Sequence, residues 1–429
     1  MPARSALDPA LADGAARTGR ADILVGIPSF NNAATIAHVV RAVSEGLRTA
    51  FPDSRAVIVN ADGGSSDGTP SRVVESADGV PAIAGAYRGL PGKGSAFRAI
   101  FEVAAQVGAR ACAVVDSDLR SITPMWVDRL LRPIVEGRAD YVTPLYARHK
   151  HDGTITNTIA YPLTRALYGL RVRQPIGGEF GFSGELARAF LVGGALAPGT
   201  PQGRAPEAEL PAPTDVWETD VARFGIDIYM TTTAIARGAR VVQAPLGAKI
   251  HDPKDPGADL GPMFTQVVGT AFRLAIANAT AWRAVEGSRD VGVVGPPLAV
   301  EPEAVNASVD ILLHTFRDGA AEWRQLWDEA LSPSSAEAVR AATRADGAPR
   351  QIAGRTWAGI VYDLLLASKR TPDRTSTYVR SLVPLYFGRV AAFIEEAADL
   401  DTARSEELVE AQARAFEARK HDLLAGWGA

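Results

Sequence analysis

The chain has 429 residues, 47% hydrophobic and 22% charged, with a formal net charge of −4 and a pI near 6.0. That composition suits a globular protein with one large or two smaller domains, and its acidic balance argues against a nucleic-acid-binding surface. A single cysteine, Cys112, excludes an internal disulfide and any cysteine-rich metal site.

Residues 1–20 are rich in Ala, Arg and Asp and lack the apolar block of a secretion signal, so they read as a flexible tail. No apolar run looks long enough to span a bilayer, and the expectation is a cytoplasmic protein with no membrane partner. "ADILVGIPSF" (21–30) is a short apolar run ended by Gly and Pro: a buried strand. In the next stretch Ile36, Val39, Val40, Val43 and Leu47 recur on one helical face. "SRAVIVNADGGSSDGT" (54–69) is a second strand entering a Gly-rich turn, where Asp62 is open to two readings. It either accepts from a nucleobase or ribose, or holds a tight turn and helix cap. "AIAGAYRG" (82–89) leads to "LPGKGSA" (90–96), which puts Lys93 between two glycines at a helix start, where backbone N–H groups and one ammonium can face an anion. "ARACAVVDSD" (109–118) is the next strand, with Cys112 inside its apolar run.

Strands alternating with helices predict an α/β fold with a mostly parallel sheet covered on both faces, in which ligands bind beyond the carboxyl ends of the strands. "IPSFNN", "NADGG" and "DSD" all fall at such ends. In an extended segment residues i and i+2 share a side, so Asp116 and Asp118 can share one hard divalent cation; the alternative is a solvated turn. Further on, His251 follows an apolar segment with Lys249 and Lys254 beside it, a suitable third metal ligand flanked by two diphosphate partners. The pair His149 and His151 reads as a polar loop. The Pro/Ala-rich stretch 196–215 reads as a surface loop. Beyond residue 300 the chain is mostly helical, for packing or for a homodimer contact.

Taken together, "IPSFNN", "NADGGSSDGT", "PGKGSA", "VVDSDL", "GTITNTIAYPLTRALYG", "QPIGGEF", "FGIDI" and "KIHDPKDPGADLGPM" resemble the GT-A glycosyltransferases. Within these they are most similar to the retaining enzymes that make glucosyl-3-phosphoglycerate, mannosylglycerate and glucosylglycerate. The resemblance implies a Rossmann-like catalytic domain over residues 21–290, with a helical region over 300–429. It implies that Pro28, Ser29 and Asn31 line a nucleotide pocket and that Asp62 meets the base. Lys93, Lys249, Lys254 and Asp116 would hold the nucleotide-sugar, and Asp116, Asp118 and His251 would bind Mg²⁺ or Mn²⁺. Glu179 and Asp227 would be the catalytic carboxylates facing the donor sugar. Gly153, Thr154 and Thr156 would lie at the acceptor. The phosphoglycerate enzymes carry an arginine in a "GGRVTEL"-like stretch, where this chain has "DGTITNT", with Thr154 in the arginine's place. Losing that cation favours D-glycerate or a similar small hydroxy acid over a phosphorylated acceptor. Arg165 would then meet the acceptor carboxylate, and Lys150 or Arg165 could replace the missing cation. The competing expectations are a phosphorylated acceptor, a lipid or polysaccharide acceptor, a catalytically dead nucleotide-sugar binder acting through its helical C-terminal region, and a sugar-phosphate nucleotidyltransferase. "GIPSFNN" weighs against the last, because it stands where a G-x-G-x-R loop would be.

Overall fold

The computed structural model describes residues 5–193, 215–250, 256–298, 300–305, 308–344 and 352–428. The chain divides into two compact units. One comprises Met1–Ala147, Gln174–Lys254 and Val291–Pro302; the other comprises Arg148–Arg173, Asp255–Asp290 and Glu303–Ala429.

The first unit is built on an eight-stranded sheet. Its strands are β1 (Ile23–Ser29), β2 (Ala56–Asp62), β3 (Ala82–Ala86), β4 (Ala111–Val114), β5 (Tyr141–Ala147), β6 (Phe180–Ser183), β7 (Val241–Ala248) and β8 (Gly292–Val293). They lie in the order β8-β7-β5-β6-β4-β1-β2-β3. All neighbours run parallel except β6, which is antiparallel to both β4 and β5. Seven consecutive buried positions in β1 mark a strand covered on both faces. The helix Ile36–Ala50 buries the expected face, Ile36, Val39, Val40, Val43 and Leu47, against the sheet together with the helix Pro124–Val135. Cys112 is fully buried, and desolvation pushes its thiol up to about 12, the behaviour of a small core hydrophobe.

Three expectations need correction. Residues 5–19 are not a loose tail. Asp8 caps the helix Pro9–Thr18 by accepting from Leu11 N at 2.8 Å, and Leu7 bridges to Tyr87. Gly85 of β3 supplies the room, because a Cβ there would come within 2.8 Å of Asp8 Oδ1. An alanine-rich helix of this length shows little apolar bulk in sequence yet still docks. Second, the span 21–290 is not one unit: 148–173 and 255–290 pack with the helical region, and 291–302 returns to the sheet unit. Third, one helix among the described residues, Pro256–Ala277, contains a window, Leu260–Ala277, long and apolar enough to cross a membrane, with a mean hydropathy of 1.2. Its buried positions, Phe264, Val267, Val268 and Phe272, recur at helical spacing, and Phe264 stacks on Tyr386, so one face is core.

Apart from a two-stranded parallel ribbon, Leu170–Arg171 with Arg289–Asp290, the rest of the second unit is helical: Tyr161–Tyr168, Ala279–Trp282, Val309–Ala330, Pro333–Ala342, Gly354–Arg370, Thr375–Glu396 and Thr402–Trp427. A π-helical turn, Thr156–Ala160, precedes the first of these.

Candidate active site

At the carboxyl end of the sheet, six side chains form one chain of alternating charge. Lys93 opens the helix Lys93–Gln106, and its Nζ lies 3.3 Å from Asp227 Oδ1 and 2.8 Å from Asp116 Oδ1. Asp116 Oδ2 is 3.0 Å from Lys249 Nζ. Lys249 Nζ donates to both oxygens of Glu179 at 2.9 Å and to the Gly177 carbonyl at 3.0 Å. Tyr146, at the end of β5, donates its hydroxyl to Glu179, and its ring lies under Lys249. Glu179 precedes β6, the one antiparallel strand, which delivers it between β4 and β5.

Burial sets the electrostatics. Desolvation pushes the Glu179 carboxyl up to about 7, against the pull of Lys249, with the charge of Asp116 adding to the rise. Asp227 is raised for the same first reason, opposed by Lys93. Burial works against the charge on Lys93, but Asp116, Asp227 and Glu179 outweigh it and hold its ammonium well above the ordinary lysine range. Although Lys93 pairs with it as an ion, Asp227 Oδ1 is buried and accepts no aligned hydrogen bond among the described residues.

Gly178 is what lets the cluster close. Its φ is +98°, and a Cβ there would lie 2.6 Å from Lys249 Nζ and 2.8 Å from Asp116 Oδ2. Gly178→Ala should therefore dislodge Lys249 and cut kcat/KM by about 100-fold. Steady-state kinetics check this, and a variant with parental kcat/KM would show that the tight packing is dispensable.

The Asp-Ser-Asp segment differs from its expected geometry. β4 stops at Val114, and residues 117 and 118 form a turn, so strand alternation does not set the side chains. Ser117 turns to donate to Asn32 at 2.8 Å, away from the aspartates. Asp118 is half-buried and, among the described residues, makes no hydrogen bond or ion pair. Arg120 N donates to the Ile250 carbonyl at 2.9 Å, and Ile250 N donates to Ser121 at 2.9 Å. The residue before His251 is thus pinned two positions beyond Asp118. His251 and Lys254 themselves lie outside the described residues. The carboxylate oxygens of Asp116 and Asp118 are hard donors of the kind that Mg²⁺ or Mn²⁺ takes.

In the "PGKGSA" loop the glycines serve packing, not an open anion cradle. Gly94 N donates to the Arg223 carbonyl at 3.2 Å, and a Cβ on Gly94 would lie 1.8 Å from the Val221 carbonyl oxygen. Only the side chain of Lys93 reaches the cluster.

Asp62 proves to be the turn organiser, not a carboxylate open to a base. It is 2% exposed and accepts from Ser29 Oγ at 2.7 Å, Gly64 N at 2.9 Å, Ser65 N at 2.6 Å and Ser65 Oγ at 2.6 Å. Asn31, with φ +53°, ties the β1 loop to the same turn by donating its N–H to Ser65 Oγ and accepting from Ser66 N. Pro28 pairs with Ala61 in the β1–β2 ladder. Asp67 accepts from Thr69 N at 3.0 Å just ahead of the helix Thr69–Ser76, whose N-cap is Gly68, and the bonds from Thr69, then from Ala33, lower its carboxyl.

The residues expected at the acceptor, Gly153, Thr154, Thr156 and Arg165, belong to the helical unit. Arg165 is no free acceptor ligand. It is buried, paired with Glu410 at 2.6 Å and Glu417 at 2.9 Å, and its guanidinium is fully engaged by these and Tyr161. Nor is Lys150 available, because its Nζ donates to the carbonyls of Ala397, Ala398 and Leu400 at the end of the helix Thr375–Glu396. Arg148 pairs with Asp152, and Arg173 with Glu406. Tyr146 and Gly178 were not singled out from the sequence; the position of Tyr146 at a strand's carboxyl end was the available signal.

Residues 24–183 match the family model described as glycosyl transferase family 2. Among curated proteins, the chain is similar to glucosyl-3-phosphoglycerate synthase of Mycobacterium tuberculosis, 28% identical over 272 residues, covering 60% of this chain and 74% of the relative. It is also 28% identical over 268 residues to the enzyme of the same name from Mycolicibacterium smegmatis, covering 60% of this chain and 78% of the relative. A solved structure of the Mycobacterium tuberculosis enzyme, in complex with Mn²⁺, UDP and glucosyl-3-phosphoglycerate, is 24% identical, covers 64% of this chain and 86% of that chain, and superposes with a TM-score of 0.43. The family match falls largely in the sheet unit, whose mostly parallel sheet has the order β8-β7-β5-β6-β4-β1-β2-β3, so this unit is similar to a glycosyltransferase domain of the GT-A type.

Proposed function

We propose that the protein is a metal-dependent, retaining hexosyltransferase that moves glucose or mannose from a nucleotide-diphosphate sugar to D-glycerate or a similar small hydroxy acid. The name shared by the curated relatives supports glucose as the hexose. The observation that carries the enzymatic reading is the buried chain Asp227–Lys93–Asp116–Lys249–Glu179–Tyr146. Such a cluster, with carboxyls raised by burial at the carboxyl end of a sheet, supports a reaction centre there.

In this reading Pro28, Ser29 and Asn31 line the nucleotide pocket, and Asp62 shapes it by holding the turn beneath. Asp116, Asp118 and His251 would hold a divalent cation, which when bound neutralises charge on the departing nucleoside diphosphate. Lys93 and Lys249 add positive charge to the same side, and Lys254 is assigned to the diphosphate by the resemblance alone. Glu179 and Asp227 would face the sugar, and both carboxylates would offset positive charge developing on the ring. The acceptor hydroxyl attacks from the face the diphosphate leaves.

The acceptor is argued from charge. The relatives' name specifies a phosphorylated acceptor, and that is the second reading. Against it, Thr154 replaces the arginine of that family, and both candidate substitutes are engaged elsewhere, Lys150 by three carbonyls and Arg165 by two glutamates. A phosphate without a cationic partner loses much of its binding. The test pairs UDP-, GDP- and ADP-glucose and GDP-mannose with D-glycerate and 3-phosphoglycerate, with and without Mg²⁺ or Mn²⁺. Metal-dependent transfer to D-glycerate above that to 3-phosphoglycerate is expected. The reverse preference would establish the second reading, and no transfer with any pair would remove both.

A further inference from the structure

In the helical unit, the loop bearing Gly153, Thr154 and Thr156 is held by three side chains that no motif marks. Trp357 Nε1 donates to the Thr158 carbonyl at 2.7 Å, and Gln412 Nε2 donates to the Asn157 carbonyl at 2.8 Å. Both satisfy carbonyls of the π-helical turn Thr156–Ala160, a winding that recurs at functional sites. The third contact is different in kind, because it ends on a side chain: the hydroxyls of Tyr386 and Thr154 meet at 2.6 Å.

Tyr386 is fully buried on the helix Thr375–Glu396, with its ring stacked on Phe264 at 4.4 Å. Burial raises its phenol well above the ordinary range, outweighing the Thr154 bond, so it stays a neutral hydroxyl. Thr154 is its one polar partner among the described residues. A buried O–H left undonated is costly, so Tyr386 donates and Thr154 Oγ1 accepts. The proton of the half-buried Thr154 is then free to point away from Tyr386, toward a bound oxygen.

We propose that Tyr386 is a positioning residue for the acceptor, fixing Thr154 as a hydrogen-bond donor to an oxygen of a small hydroxy acid. Tyr386 lies far beyond the family-matched segment, which ends at 183. Its assignment rests on the reading of Thr154 as an acceptor contact.

The test uses the full chain loaded with nucleotide and metal. It compares the parent with Tyr386→Phe, Thr154→Val and Thr154→Ser. Calorimetry reads the Kd for D-glycerate and for 3-phosphoglycerate, and separately for the nucleotide-sugar; melting temperature is followed alongside. Tyr386→Phe should weaken binding of the preferred acid about 3- to 10-fold and leave nucleotide affinity unchanged. Thr154→Val should weaken it at least as much, and Thr154→Ser should stay near the parent. If Thr154→Val leaves acid binding unchanged, the acceptor reading of Thr154 falls and takes this proposal with it. If Thr154→Val weakens binding and Tyr386→Phe does not, only the proposal falls. A Tyr386→Phe variant with a lower melting temperature but parental acid affinity marks a purely structural hydroxyl and overturns it. Failure of the parent to bind either acid overturns both.

Discussion

Asp118→Ala should abolish metal-dependent binding of the nucleotide-sugar and lower kcat/KM by about 100- to 1000-fold, the loss that follows removal of one electrostatic stabiliser of the transition state, about 3–4 kcal/mol. Asp118 is a cleaner probe of the metal than its neighbour. Asp116 already bridges Lys93 at 2.8 Å and Lys249 at 3.0 Å, so replacing it would collapse the cluster whether or not a metal binds. Asp118 has no such partner among the described residues, so its loss should leave the fold intact and the melting temperature within a degree or two of the parent. Titrating the nucleotide-sugar calorimetrically, with and without Mn²⁺, decides the matter. The parent should bind far more tightly with the metal, and the variant should show little difference. A variant that keeps the parent's metal dependence would sink the assignment of Asp118 as a ligand.

What could be read from the sequence divides by the range of the signal. The apolar run of β1 and the helical spacing of Ile36, Val39, Val40, Val43 and Leu47 are local patterns, and each appears in the structure as expected. Strand-end placement marks Asp116, the helix start marks Lys93, the company of His251 marks Lys249, and only the family resemblance marks Glu179 and Asp227; the structure brings these five together. The Asp-Ser-Asp segment was misread because the strand ends two residues before Asp116, where period two no longer applies. Asp62 was left open because an acidic residue before two glycines signals both a ligand and a turn. Only its four donors, two of them backbone N–H groups, decide for the turn. Least legible was the fate of 148–173. Arg165 is committed to Glu417, 252 residues away, and Thr154 to Tyr386, 232 residues away; no periodicity or spacing in one chain marks such pairs.

Lys249→Met should produce a stability loss that grows with pH. Glu179 is fully buried, and its acceptors are covered by Lys249 and Tyr146, with Asp116 N at 3.4 Å. Its folded carboxyl sits near 7 against an ordinary value of 4.5, raised by burial. The native state therefore holds more proton than the unfolded chain between those values. The stability tied to this group is complete below pH 4.5 and is lost as pH rises toward 7. Removing Lys249 takes away the largest influence that lowers the carboxyl, so the folded value climbs further and the loss extends to higher pH. At pH 5 Glu179 is protonated in both native proteins, and the variant should lose little beyond its contacts to Gly177 and Asp116. At pH 8 it must bury a lone carboxylate or keep a costly proton, a penalty of about 3–5 kcal/mol. Asp116 retains Lys93 in either case, but Lys249 also lowers the raised carboxyl of Asp227, so the Glu179→Gln comparison is what isolates Glu179. Urea unfolding at pH 5 and pH 8 measures it, and adding Glu179→Gln to Lys249→Met should recover most of the loss at pH 8, since an amide has no charge to desolvate. An equal deficit at both pH values, or a double variant no more stable than Lys249→Met at pH 8, would mean that the pairing of Lys249 with Glu179 is not what holds this carboxylate in the site.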